Sequence, residues 1–197
     1  GYFNPESLGI QTPVDQTNGT VDIIYEVEER PSDQLELSAG WGGFGRSQII
    51  GTLGVTFNNF SLRNLFKPEA WSPLPQADAQ RFSVRIQTNG DFFQSYNFSL
   101  TEPWLGGKRP NSFTVGGVIT KVDQTAYQGG KLKISRGFVG LGSRLKWPDD
   151  NFISNTTLSA EFIELDNYRT GDFVDKNGRP ITDGLYKNFN IAQTIAR

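Results

Sequence analysis

Two groups of acids stand close enough to suggest chemistry: Asp149-Asp150, and Glu161, Glu164 and Asp166. Paired carboxylates are what general acid–base catalysis asks for. Asp149-Asp150, however, falls within "WPDDNF", a composition that makes solvated turns. "DFVDKNGRP" has the look of a calcium loop but lacks the spacing of oxygen ligands and the closing Glu. "GGFG" is too short and wrongly placed to cradle a phosphate. The 197-residue chain contains no His and no Cys. That removes Ser-His-Asp chemistry, thiol nucleophiles, disulfides and most zinc sites together. The sequence therefore predicts no enzyme, no catalytic residue, no metal and no cofactor.

The remaining charged candidates are Arg81, Arg85, Arg136, Arg144, Lys146 and Glu161, each set among small polar neighbours. They can pair with one another along a wet surface, or they can contact a separate loop. Net charge is −2 with Lys and Arg dispersed, so no nucleic-acid partner is expected. Aromatic residues make up 13% of the chain, 15 of them Phe, yet only 36% is hydrophobic. A soluble domain this aromatic would ordinarily add more Leu, Ala and Val to its core. No run of eighteen apolar residues is present, so no membrane helix is expected. The chain starts and stops abruptly, which reads as a segment of a longer protein.

These residues must be positioned by strands. Residues 1–31 read as a separate piece. In "VDIIYEVEERP", Val21, Ile23, Tyr25 and Val27 alternate with Asp22, Ile24, Glu26 and Glu28, Asn18-Gly19 signals a hairpin turn before it, and Pro31 closes it. From Ser32 onward eight strand-like segments follow, with no helix-period segment of useful length; "NNFSLRNLF" could make one turn. The first, "QLELSAGWGG", puts Leu35, Leu37, Ala39 and Trp41 on one face. In the second Ile49, Leu53, Val55 and Phe57 oppose Thr52, Gly54, Thr56 and Asn58. In the third Phe82, Val84 and Ile86 oppose Arg81, Ser83, Arg85 and Gln87. In the fourth Tyr96, Phe98 and Leu100 oppose Ser95, Asn97, Ser99 and Thr101. The facing of the fifth is ambiguous, although Phe113, Val115 and Ile119 share a parity. The sixth, "FVGLGSRLKWP", sets Val139, Leu141, Leu145 and Trp147 against Gly140, Gly142, Arg144 and Lys146. The seventh sets Thr156, Leu158, Ala160 and Phe162 against Thr157, Ser159 and Glu161. "NFNIAQTIAR" is the eighth.

Alternation alone means half-buried strands, and a soluble sandwich satisfies it. A membrane barrel is favoured by three further features. The segments run about 9–12 residues, beyond the roughly 5–6 of soluble strands and near the ~9–11 that cross a bilayer. Their polar faces are small and flexible, as suits a wet lumen. Aromatics (Trp41, Phe57, Tyr96, Trp147) recur near strand ends, as at a membrane interface. Connections are expected to alternate between short and long. On this reading Leu53, Val55, Phe57, Phe82, Val84, Ile86, Tyr96, Phe98, Leu100, Leu158 and Phe162 meet lipid. Arg81, Arg85, Arg144, Lys146 and Glu161 line the lumen.

"VDIIYEVEERP" running directly into "QLELSAGWGG", together with Glu102-Pro103-Trp104 after "YNFSLT", resembles the BamA-like outer-membrane β-barrel assembly factors. In that family polypeptide-transport-associated (POTRA) repeats lead into a barrel. The order of segments is also similar, with a short first surface loop at 42–46 and a longer one at 167–188. The resemblance implies the end of a final POTRA repeat at 1–31 and the first half of an antiparallel barrel at 32–197. It implies residence in the bacterial outer membrane, with the N-terminal segment in the periplasm. It further implies insertion of client barrels through a lateral seam at the first barrel strand, where Leu35, Glu36, Leu37, Ser38, Ala39 and Gly40 offer backbone groups to an incoming strand. Implied partners are outer-membrane lipid, nascent outer-membrane β-barrel proteins and accessory lipoproteins, with no cofactor. A translocation-and-assembly or two-partner secretion pore of the same superfamily, or a passive channel, is the alternative. Two features depart from the family pattern. The turn "NNFSLRNLFKPEAWSPLPQADAQ" is longer than usual. Arg136-Gly137-Phe138 matches a sixth-loop signature but comes too early in the order to be one.

Overall fold

The computed structural model describes residues 5–15, 17–28, 33–42, 48–71, 74–107, 109–127, 129–147 and 151–196. The chain divides into two units, Gly1–Asp33 and Gln34–Arg197.

The first unit is an interrupted hairpin. Strands β1 (Gly9–Gln11) and β4 (Ile24–Glu26) pair antiparallel, as do β2 (Val14–Asp15) and β3 (Thr20–Val21). The expected continuous strand through "VDIIYEVEERP" is thus broken between Val21 and Ile24. Pro13 has no N–H to give a ladder, and its carbonyl instead accepts the Asp22 N–H at 3.1 Å. Gly19, with φ +65°, makes the turn that Asn18-Gly19 signals. Pro31 lies outside the described residues.

The second unit is one antiparallel sheet in simple meander order. Its strands are β5 (Gln34–Gly42), β6 (Gln48–Phe60), β7 (Gln80–Thr88), β8 (Phe93–Glu102), β9 (Ser112–Asp123), β10 (Lys131–Arg144), β11 (Ile153–Asp166) and β12 (Gly184–Ala196). The eight expected segments are the eight strands, and the helical content among the described residues is three short 3-10 turns. β5 and β12 are the sheet edges. The end at which β5 starts is called basal below, and the opposite end distal.

Some boundaries differ from the sequence reading. Asn58, Asn59 and Phe60 belong to β6, after a bulge, rather than to a helical turn. β10 starts at Lys131 and ends at Arg144, so Arg136-Gly137-Phe138 lies mid-strand. Leu145, Lys146 and Trp147 lie past its end, where one further in-register bond, from the Leu145 N–H to the Phe152 carbonyl (2.8 Å), closes the ladder. Lys146 is therefore not a strand-borne lumen residue. Connections alternate at first, with the basal ones (61–79, 103–111, 145–152) longer than the distal 89–92 and 124–130, but the long distal 167–183 breaks the pattern. The ladder constrains strand length, whereas loop length costs little.

The burial pattern is inverted relative to a soluble domain. Among the described residues the buried hydrophobic side chains are Phe60, Val122, Leu165 and Tyr168, while Leu53, Phe98, Leu141, Leu158, Phe189 and Ile191 are exposed. Small polar side chains are the covered ones: Thr52 is 9% exposed and Ser95 6%. A soluble chain of this size would bury a much larger apolar core.

Candidate functional site

Strand register decides which side chains share a face, because a slip of one residue would reverse every one of them. Three apolar rows cross the sheet without a break in parity. One runs Leu37, Leu53, Ile86, Tyr96, Ile119, Ser135, Phe162 and ends on the charged Lys187 of β12. The next runs Leu35, Val55, Val84, Phe98, Gly117, Gly137, Ala160, Phe189. The third runs Phe57, Phe82, Leu100, Val115, Val139, Leu158, Ile191. All eleven residues expected to meet lipid lie in these rows. They also resolve the fifth segment: Phe113, Val115 and Ile119 belong to the apolar face. Its alternation is masked by Gly116 and Gly117. A Cβ at Gly117 would lie 2.7 Å from the Phe98 ring, so the ring covers that glycine.

The opposite face is polar and internally bonded from β6 to β9, and carries Val118, Ile134, Phe138 and Ile163 among its polar residues farther along. Thr56 and Ser83 share a hydrogen bond at 3.0 Å, Ser95 and Thr120 at 3.2 Å, and Thr101 and Thr114 at 3.0 Å. Gln87 Nε2 donates to Thr52 Oγ1 at 3.3 Å. These hydroxyls satisfy one another across strands, so the face needs no apolar cover.

One polar row concentrates charge: Glu36, Gly54, Arg85, Asn97, Val118, Arg136, Glu161, Asn188. Arg136 Nε donates to its direct neighbour Glu161 at 2.9 Å. Arg85 reaches further. Its guanidinium crosses the whole of β6 and donates to Glu36 Oε1 on the edge strand at 2.9 Å. Gly54 makes that possible, since a Cβ there would lie 3.0 Å from Glu36 Oε2 and 3.2 Å from Glu36 Cβ. The sequence places Glu36 with the edge-strand residues and Arg85 with the lumen charges; the register brings them together. In the sequence the only signal for the gap at Gly54 is a glycine interrupting the small polar run of Thr52 and Thr56.

The other expected lumen charges do not join this row. Arg81 faces Thr101, and Arg144 faces Ile153 at the basal end of β10. Among the described residues neither they nor Lys146 form an ion pair. The acids assemble only in part. Glu161 sits on the polar face with Arg136, whereas Glu164 sits on the apolar parity and pairs with Lys133 at 3.1 Å. The sheet separates Glu161 from Glu164 and Asp166, which share one parity and line a distal cavity with Asp91, Asp123, Lys131 and Lys133. Asp149-Asp150 lies outside the described residues. In the loop 167–183 Asp175 Oδ1 accepts the N–H groups of Asn177 (2.7 Å) and Arg179 (2.9 Å). Its carboxylate shapes the turn rather than standing open to a cation.

The two edge strands, β5 and β12, are the least covered parts of the sheet. In β5, Leu35, Leu37 and Trp41 are 66%, 71% and 73% exposed, and its far backbone edge has no partner strand among the described residues. Ala39 faces Gly51, and nothing lies within 4 Å of a Cβ built on Gly40. Side-chain interlock along the Ser38–Gly40 stretch is minimal. The first surface loop expected at 42–46 lies almost wholly outside the described residues.

No family model matches the chain, and no curated protein matches it by sequence. Among solved structures it is similar to the crystal structure of BamA from Haemophilus ducreyi lacking POTRA domains 1–3, with a TM-score of 0.60 and 17% identity. The match covers 99% of this chain and 35% of that one. The chain thus spans about a third of that protein's length, and its open sheet has the fold of part of a BamA barrel.

Proposed function

We propose that this chain is part of an outer-membrane insertase: the end of a last POTRA repeat (1–31) followed by the first strands of a barrel. The apolar rows meet lipid and the polar face lines the lumen. β5 is one side of a lateral seam, where Leu35, Glu36, Leu37, Ser38, Ala39 and Gly40 present backbone groups to an incoming strand by β-augmentation. It performs no covalent chemistry. Its partners are outer-membrane lipid, nascent β-barrel proteins and accessory lipoproteins, and its site is the bacterial outer membrane with the N-terminal segment in the periplasm.

The observation that carries this reading is the state of β5. It follows the N-terminal unit directly in sequence, and its central residues, Ser38, Ala39 and Gly40, are small and open; its edge position it shares with β12. An unpaired edge templates a further strand. The test is a reversible lock in the full-length protein, using a cysteine at Ser38 or Gly40 and a second in the facing strand that closes the barrel. The verified disulfide form is expected to remain folded and to stop inserting clients, with activity restored on reduction. Full insertion by the locked form would refute the seam.

A further inference from the structure

The long basal connection 61–79 is unexplained by a seam at β5, and it is well built. Ser61 and Pro75 are fully buried beneath it, and the Ser61 N–H donates to the Pro75 carbonyl at 2.8 Å. Ser61 Oγ donates to Asp78, Asn64 Nδ2 to the Gln76 carbonyl (3.2 Å), and Trp71 Nε1 to the Leu65 carbonyl (3.2 Å). A segment tied down this thoroughly should hide its apolar side chains. Instead Phe66 is 90% exposed and Leu62 48%. The scaffold holds Phe66 out.

Its direction is set by the root of the loop. Phe60 stacks on Phe82, a member of the apolar rows, with ring centroids 5.0 Å apart. The Leu62 N–H donates to Gln80 Oε1 (2.8 Å), and Gln80 Nε2 donates to Glu102 Oε2 (2.8 Å). Gln80 and Glu102 share the parity of Phe82 and Leu100, so the loop leaves the sheet on its apolar face. In the next basal turn Trp104 hangs from Glu102 through its N–H (3.0 Å) and is 53% exposed. Arg63 and Lys67 flank Phe66; both are exposed, and among the described residues neither forms an ion pair.

We infer that 62–71 is an interfacial anchor. Phe66 enters the headgroup–acyl boundary of the leaflet at the basal end, and Arg63 and Lys67 hold anionic phospholipid there. Three observations support lipid as the occupant: an aromatic held out by a hydrogen-bonded loop, two cations beside it with no ion pair among the described residues, and a root on the face that continues into the apolar rows. An aromatic body with basic flanks is the composition that settles at a bilayer interface. This inference rests on the membrane reading of the apolar face.

The test uses the full-length protein with any cysteine outside this chain replaced; this chain itself has none. Phe66→Cys, Glu69→Cys and Phe98→Cys are each labelled with an environment-sensitive dye. Each is placed in nanodiscs of phosphatidylcholine with or without phosphatidylglycerol, containing a shallow spin-labelled quencher lipid. The dye at 66 should be quenched several-fold more than that at 69. Phosphatidylglycerol should enhance the effect about fivefold per basic side chain, and Arg63→Gln with Lys67→Gln should abolish that enhancement. A dye at 66 that stays in water while the dye at 98 is quenched would overturn the inference. So would quenching indifferent to lipid charge, or shielding that appears only when a periplasmic protein is added. If the dye at 98 also stays in water, the membrane reading itself fails.

Discussion

The Glu36–Arg85 pair makes a local prediction that global stability would miss. Both side chains are nearly half exposed, at 47% and 46%. An ion pair that open contributes about 0.2–1 kcal/mol. Gly54→Ala places a Cβ 3.0 Å from Glu36 Oε2 and so drives the carboxylate off the guanidinium. The same change removes the backbone entropy cost of a glycine within a strand, a gain of roughly 0.5–1 kcal/mol. The two nearly cancel, so Gly54→Ala should leave the melting temperature almost unchanged. Its effect falls on β5, the one strand the pair tethers. Hydrogen exchange in bilayers should show the β5 amides paired to β6 opening about 1.4- to 5-fold faster, the exchange equivalent of the lost pair. β7 and β8 should not change. Glu36→Gln and Arg85→Gln should each have the same effect, and the double substitution should add little more, giving a coupling of about 0.2–1 kcal/mol. Unaltered β5 exchange in all three single variants would refute the tether. Equal acceleration across β5 to β8 would show a general loosening instead.

Three further outcomes are expected. Phe98→Arg should destabilise the folded protein in bilayers by about 2–4 kcal/mol if its row lies near the midplane, against little for Asn97→Arg; chemical denaturation measures both. Proline at Leu37 or Ala39 removes a ladder N–H from the edge strand and should impair client insertion more than proline at Leu158, normalised to folded protein. In the distal loop, Asp183 accepts the Asn167 N–H and the Thr182 hydroxyl, each at 2.7 Å, and these bonds hold its carboxyl below the ordinary carboxylate value. A lowered folded value means the anchor is fully present above about pH 3.9 and is lost as pH falls through that lower value. Protection of the Asn167 amide, corrected for intrinsic rates, should therefore be flat from neutral to about pH 4 and drop below it. A midpoint between pH 5 and 7 would be inconsistent with that bond.

Most of the sheet was legible because alternation and register agree. Phe82, Val84 and Ile86 announce their face by spacing alone, and the ladder then places them beside Leu100, Phe98 and Tyr96. Legibility failed where side chains were missing. Gly116 and Gly117 blurred the fifth segment, because glycine under a neighbour's ring carries no hydropathy signal. Strand ends were also obscure: Lys146 continues the alternation of β10 in sequence, but the strand ends at Arg144 and one last bond to Phe152 closes the ladder. The charged row was invisible, since bringing Glu36 to Arg85 depends on two registers set by turn geometry. The exposure of Phe66 was equally hidden, because it follows from hydrogen bonds across 61–79 rather than from any local pattern.

The central claim is that the sheet has one face in lipid and one in water. Single cysteines at Leu53, Val84, Phe98 and Leu158 sample the three apolar rows. Cysteines at Thr52, Arg85, Asn97 and Ser159 sample the polar face. In the full-length protein in bilayers, the first four should react with a membrane-partitioned maleimide and resist a charged one, while the second four should do the reverse. Labelling of all eight from water would contradict the account at its root.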